Sequence, residues 1–446
     1  MVSLLVFASL FAAPDMPPLE NAMPVRFTGP WTVAVGPGSV AMEEDTLSLP
    51  AAVSVEVLPA AVIEVRGECH SGLPVYNDQT AGWVKGAKLR ALITEECSQT
   101  GALRPETLRL RPSPGKEPFA AGTDYAFDAF WGTFGRVEGG TIAPRQTVYA
   151  DYDYSPSRLD SIVMDGAGQV HLRPGPPSVG VVLPPELSAG ERAIVNVWVP
   201  GNLTALTEDN LYPIGFAETA PATTALSQAE QYLPKTLAKL RAGEPVTIVA
   251  WGDSVTNGGG VGERYEAWYQ NQFAVRLAQR FPKADIRLLT AAWGGASSQR
   301  YLDQPRGAEY DFVRDVLEPK PDLVTIEFVN DAYLDEEKTQ THYAGILEQI
   351  RGVGAEVALI APHLVRPDWL KVDHTKVQAD PRPFVKGLHR FAAENQLALA
   401  DASTRWCRLW RQGIPYTTLL ANSINHPDVR GQAIFADALM ALFPEE

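Results

Sequence analysis

In Val246-Thr-Ile-Val-Ala-Trp-Gly-Asp-Ser-Val-Thr-Asn-Gly-Gly-Gly260, five apolar or β-prone residues run into Trp251 and stop at Gly252. A short apolar run closed by a turn signal reads as a buried parallel strand. The residues that follow, Gly252-Asp253-Ser254, place a hydroxyl on the tight loop where strand gives way to helix. In an open α/β sheet that loop lies at the carboxyl edge, where ligands bind. Its serine can lie near the free N–H groups of the next helix. The alternative is a plain helix N-cap, for which Ser, Asp and Thr are the common residues.

Downstream the pattern alternates. Strands are expected at 246–251, 286–291, 323–328, 356–361 and 397–401. Amphipathic stretches at 266–281, 310–317, 339–353, 383–395 and 429–442 are expected as helices. A further helical spacing, Leu233, Leu237 and Leu240, precedes the first strand and ends at Ala242-Gly243. Parallel strands require crossovers, so five such units imply a three-layer α/β domain with helices on both faces, spanning 228–446.

Upstream, from 24 to 215, the runs are short and β-like. They include alternating Val53, Val55 and Val57, then 62–65, 89–93, 147–154 and 193–199. Ser161–Met164 and Gln169–Leu172, joined by Asp165-Gly-Ala-Gly168, read as a hairpin. The region is expected to be one or two β-sandwich-like domains. In Tyr149-Ala-Asp-Tyr-Asp-Tyr154, Tyr152 and Tyr154 share one face of a strand and Asp151 and Asp153 the other. Sugar stacking and Ca²⁺ ligation are one reading of that face pattern. Half-buried tyrosines beside solvated aspartates are the other. The Ala-, Thr- and Pro-rich segment 216–227 reads as a linker.

At 446 residues the chain is too long for one ordinary core. Its 45% hydrophobic and 20% charged content is that of a folded globular protein. A net charge of −15 argues against nucleic acid as a partner, since phosphates would be repelled. Residues 1–13 combine a short apolar run with small residues, as a secretory signal does, although they lack a basic start. Export is therefore the expectation, with a buried first strand as the alternative. No stretch is long and apolar enough for an integral membrane segment. Cys69, Cys97 and Cys407 do not have a metal-ligand spacing, and no metal or cofactor is implied. An exported chain could pair Cys69 with Cys97.

Several reactive groups fall at strand ends. Ser254 follows the first strand and Trp293-Gly294-Gly295-Ala296-Ser297 the second. Val329-Asn330-Asp331 follows the third, and Asn425-His426-Pro427 precedes the last helix. These four stretches resemble, in order and spacing, the blocks of the SGNH (GDSL-type) hydrolase superfamily over about residues 230–446. Ser254, Gly295, Asn330 and His426 are the matching residues. The resemblance implies a flavodoxin-like sheet and a serine hydrolase acting on esters. A neutral imidazole at His426 is suited to take the proton of Ser254. The N–H groups of Ser254 and Gly295 and the Asn330 amide would then form an oxyanion hole.

Two positions depart from the pattern. Phe328 stands where a glycine usually precedes the asparagine by two residues, which implies a different pocket wall. Ser423 stands where an aspartate usually precedes the histidine by three, which points to a Ser-His dyad or to a degenerate site. Asp253 reads as a loop-stabilising residue. His363, with Arg366, Asp368 and Trp369, either lines the substrate pocket or serves loop structure. A β-region joined to such a hydrolase leans towards O-acetyl esters on carbohydrate, an inference by analogy. The competing readings are a non-catalytic glycan-binding module and a lipase or thioesterase.

Overall fold

The computed structural model describes residues 23–41, 46–215 and 226–445. The leader-like residues 1–13 and nearly all of the linker 216–227 lie outside them. The chain divides into two compact units. One comprises 18–216 with 410–424, and the other 217–409 with 425–446. Segment 410–424, which the sequence pattern groups with the second half, thus belongs with the first.

The unit built from the N-terminal half is antiparallel. One sheet has the order 25–29, 32–35, 53–56, and another 170–173, 158–164, 192–199, 211–213. Val33, Val35, Val55, Ile162, Val195 and Val197 meet in one core. A second core gathers Leu108, Leu110, Phe134, Val148 and Tyr152. Its sheets have the orders 103–111, 147–154, 63–71 and 125–128, 133–136, 87–88. The expected hairpin is present, with Gly168 at φ 78° and its N–H on the Asp165 carbonyl at 2.9 Å. Positive φ is why the turn ends in glycine.

Three local readings change. Residues 89–93 were expected as a strand, but Arg90–Leu92 is a 3₁₀ turn that buries Leu89 and Leu92 three residues apart. In the Tyr/Asp strand, Tyr152 is fully buried and donates its hydroxyl to Glu68 at 2.7 Å. Asp151 pairs with Arg111 at 2.8 Å and Asp153 with Arg66 at 2.7 Å, so these carboxylates already have cationic partners. Cys69 and Cys97 are not joined by a disulfide; the first is exposed and the second buried.

Segment 410–424 is bound into this unit by backbone and side-chain contacts. Gln412 bridges Ile214, and the Gly413 carbonyl accepts from Asn196 Nδ2 at 2.8 Å. The Ala421 carbonyl accepts from the Thr94 hydroxyl, and Asn422 donates to Glu96 at 2.8 Å. Ile424 packs with Cys97 and Trp131.

The other unit holds a five-stranded parallel sheet. Its strands are Pro245–Gly252, Asp285–Ala292, Leu323–Glu327, Glu356–Ala361 and Ala398–Asp401. In space they run second, first, third, fourth, fifth. That is the flavodoxin-like order, whose ligand crevice opens between the first and third strands. Val249 and Trp251 face a core that includes Tyr343 and Ile346 of helix Glu336–Gly352 and Phe384 and Leu388 of helix Pro383–Asn395. Ile248 and Ala250 point the other way and are equally buried, so the sheet is covered on both faces. Helices Tyr269–Arg280 and Val429–Met440 pack together, with the rings of Tyr269 and Phe435 at 5.4 Å. The helical stretch before the first strand is split by Pro234 into Gln228–Tyr232 and Pro234–Ala242, and Gly243 caps it at φ 74°. No helix among the described residues is long and apolar enough to cross a membrane.

Candidate active site

The first and third strands end in register, Gly252 beside Glu327. Their two loops therefore leave the sheet side by side at the switch point. Asp253 ties them together. Its carboxylate, fully buried, accepts the Val255 N–H at 3.1 Å and the Asn330 N–H at 3.0 Å. Burial raises the Asp253 carboxyl above the usual carboxylate range, and the two N–H donors pull the other way. The loop-stabilising part read from sequence has this concrete form: one carboxylate sets the Ser254 loop and the Asn330 loop against each other.

The second-strand loop closes on the same point. Trp293 N–H donates to the Gly252 carbonyl at 3.1 Å. A Cβ placed on Gly294 would lie 3.9 Å from Ser254 Cβ. Gly295 follows at φ +73° with open space where its Cβ would be. Ser297 then caps the short helix Ser298–Leu302. Glycine at 294 and 295 thus leaves this turn without side chains beside the serine.

His426 arrives from just before the last helix, and its Nε2 lies 3.0 Å from Ser254 Oγ. Both residues are partly exposed. The glycine-rich end of the first block is shaped around this imidazole. A Cβ on Gly259 would come within 3.0 Å of His426 Cγ and Cδ2, and one on Gly260 within 2.1 Å of the Pro427 carbonyl oxygen. Asp428 caps the helix behind it, accepting the N–H groups of Arg430 and Gly431.

The third block supplies a group with a further property. Asn330 Nδ2 is a buried donor that makes no hydrogen bond within the protein. An unpaired buried donor is costly in a resting fold, and it suits a site where negative charge develops during reaction.

Other residues singled out from sequence take different places. Phe328, at the position of the usual glycine, has an inward place. It is buried in the core with its ring edge-on to Trp251 at 4.8 Å. His363 is fully buried, with its Nε2 2.6 Å from the Asn425 carbonyl oxygen. Arg366 pairs with Asp368, while Trp369 is 45% exposed. Ser423 has φ 61°, a left-handed conformation that gives this position its own local constraint.

The sequence reading did not reach a cluster around Asp331. Its carboxylate accepts the Ser298 N–H at 2.9 Å, the Ser298 hydroxyl at 2.5 Å and the Tyr343 hydroxyl at 2.9 Å. His342 Nε2 lies 2.6 Å from the same Ser298 oxygen. Burial raises the Asp331 carboxyl and lowers the His342 imidazole. Each of these residues alone looks like a cap or a helix-surface side chain, and only the fold brings them together.

A flavodoxin-like sheet carrying serine, imidazole and amide on adjoining loops defines a carboxylic ester hydrolase domain. Residues 250–434 match the model of the GDSL-like lipase/acylhydrolase family, and the parallel-sheet unit is a domain of that family. Among solved structures, the chain is similar to a two-domain esterase (CEX) active on acetylated mannans, at 22% identity and a TM-score of 0.36. That match covers 47% of this chain and 51% of the other, so the chain spans about half the length of that relative. It is also similar to the acetyl xylan esterase AlAXEase, at 21% identity and a TM-score of 0.35, over 44% of this chain and 98% of that one. Axe2, an acetylxylan esterase from Geobacillus stearothermophilus, is 17% identical with a TM-score of 0.36, over 45% and 95% respectively. Comparison with curated proteins gives no match.

Proposed function

We propose that the protein is a serine esterase that removes short acyl groups, O-acetyl groups on a carbohydrate foremost, with Ser254 as nucleophile and His426 as general base. The observation that carries this reading is the 3.0 Å approach of His426 Nε2 to Ser254 Oγ. The imidazole takes the serine proton as Oγ attacks the ester carbonyl carbon. The carbonyl π electrons move onto oxygen, where the amide of Asn330 and the N–H groups of Ser254 and Gly295 are the available donors. Collapse expels the alcohol, which receives the proton from His426. Water, deprotonated by the same imidazole, then releases the acid and restores the serine.

The carbohydrate half of the proposal is supported by exposed aromatic surface at the carboxyl edge of the sheet. Tyr333, three residues beyond Asn330, is 57% exposed, and Trp369, beyond the fourth strand, is 45% exposed. Such rings present apolar faces with polar edges, which suits sugar stacking. The β-rich unit joined to the hydrolase fits a polymeric substrate.

The test is acetate release from an aryl acetate and from acetylated manno- and xylo-oligosaccharides, by wild type and by Ser254→Ala. Both substrates should be turned over by wild type and neither by the variant. Turnover of the aryl ester alone would retain the esterase and remove the glycan. A preference for long-chain aryl esters would favour a lipase.

A further inference from the structure

The carboxyl edge of the sheet contains a second histidine. The fourth strand runs into Pro362 and His363, whose side chain is fully buried. A carbonyl oxygen only accepts, so the 2.6 Å contact to Asn425 means that His363 Nε2 carries the hydrogen. The other ring nitrogen, Nδ1, is buried without a hydrogen-bond partner, as expected of a bare lone pair in a neutral ring. Burial, and then the neighbouring Arg382, push this imidazole down to about 3, so it stays neutral at working pH.

The ring has no freedom to turn. It lies between Trp406, at 5.1 Å between centroids, and Phe435, at 5.6 Å. Its backbone is fixed from behind, because Arg382 Nη2 donates to the carbonyls of Pro362 at 2.9 Å and His363 at 2.7 Å. That guanidinium is itself held by buried Asp380 at 2.6 Å. The acceptor of the His363 hydrogen is the peptide that joins Asn425 to His426. On the far side of His426, the loop at Gly259 and Gly260 leaves no room even for a Cβ.

We infer that His363 is a positioning residue for the general base: its Nε2–H fixes the plane of the Asn425–His426 peptide, and with it the line along which the imidazole meets Ser254. This rests on the Ser254–His426 reading above. A hydrogen bond one peptide away from a catalytic side chain sets its Cα–Cβ direction, and a displacement of about 1 Å in a reacting group costs on the order of 100-fold in rate.

The experiment measures kcat, KM and Tm on an aryl acetate for His363→Phe, His363→Gln and His363→Asn, with Ser254→Ala and His426→Ala as controls. His363→Phe keeps a ring between Trp406 and Phe435 but has no donor. It should lose about 10- to 100-fold in kcat with KM within about twofold. The glutamine amide reaches the position of Nε2 and should restore most of kcat, whereas the asparagine amide falls short of it. If His363→Phe does not fold, the glutamine and asparagine variants decide the matter. At matched Tm, glutamine must exceed asparagine by about tenfold in kcat. Wild-type kcat in the phenylalanine or asparagine variant overturns the inference, as does a loss that glutamine fails to restore. Activity surviving in Ser254→Ala or His426→Ala would instead overturn the mechanism on which it rests.

Discussion

Among the described residues, the hydrolase unit brings two serines against histidines, and the proposed chemistry uses only one of these pairs. Ser254 meets His426 at 3.0 Å on a partly exposed loop. Ser298 meets His342 at 2.6 Å and Asp331 at 2.5 Å, yet its side chain is fully buried. The second cluster has all three residue types of a hydrolytic triad, joined in a different order. In a working triad the imidazole stands between serine and acid, accepting from one and donating to the other. Here the serine stands in the middle. Its proton goes to Asp331, its oxygen also lies against His342, and the whole side chain is buried away from substrate. Beside Ser254, in contrast, the buried Asn330 amide has no acceptor in the protein. The order of the hydrogen bonds, access, and an unsatisfied donor separate the proposed nucleophile from the buried serine.

The largest expected effect is at the first pair. Ser254→Ala or His426→Ala should lower turnover of an aryl acetate by about 1,000-fold or more, with Tm nearly unchanged. Normal turnover in Ser254→Ala would erase the distinction drawn here. Asn330→Ala comes next, with a loss of about 100- to 1,000-fold in kcat. Because it removes a buried unpaired donor, its Tm should equal or exceed that of wild type, and a clear fall in Tm would show that the amide serves the fold. Ser298→Ala should behave in the opposite way. Thermal and urea melts should show a loss of about 1–3 kcal/mol, since Asp331 loses a buried donor, while kcat on the folded protein changes less than about fivefold.

A smaller effect is expected in the pH dependence of stability. The folded-state pKa of His363 lies at about 3, below its ordinary 6.5. A depressed pKa means that the unfolded chain binds the proton first. The stability from a neutral His363 is complete above pH 6.5 and declines as pH falls towards about 3. The slope is at most about 1.4 kcal/mol per pH unit. His342 is lowered by burial too, so part of the decline should persist without His363. Urea melts from pH 7 to 4 should therefore be less steep for His363→Gln than for wild type. Identical slopes would show that His363 does not titrate in this way.

The parallel sheet was legible from sequence because its first, third and fourth strands are buried on both faces and read as nearly unbroken apolar runs, while the edge strand Asp285–Ala292 is only partly buried. The four polar blocks were legible because a doubly wound sheet collects its loops at one edge. What escaped notice depends on distance along the chain. Ser298, Asp331 and His342 are separated by 33 and 44 residues in their contacts, and each carries an ordinary local explanation. His363 and Asn425 are 62 apart, so the strut between them could not be read from either stretch. Phe328 was hard to place for the same reason. Its neighbour in the fold is Trp251, and the core that receives a bulky residue before Asn330 cannot be read from that stretch.

The grouping of 410–424 with the β-rich unit bears on how such a protein could have arisen. The chain leaves the hydrolase after 409 and returns at 425, one residue before His426. An end-to-end gene fusion would add a β-unit ahead of the hydrolase and leave the rest of its sequence continuous. In this chain a 15-residue piece of the β-unit, 410–424, is spliced into the hydrolase sequence itself. A recombination event that exchanged only the first half would inherit a segment whose partners, Asn196, Ile214 and Thr94, had been left behind. Such an exchange would strand the segment that ends directly before Asn425 and His426, the proposed general base.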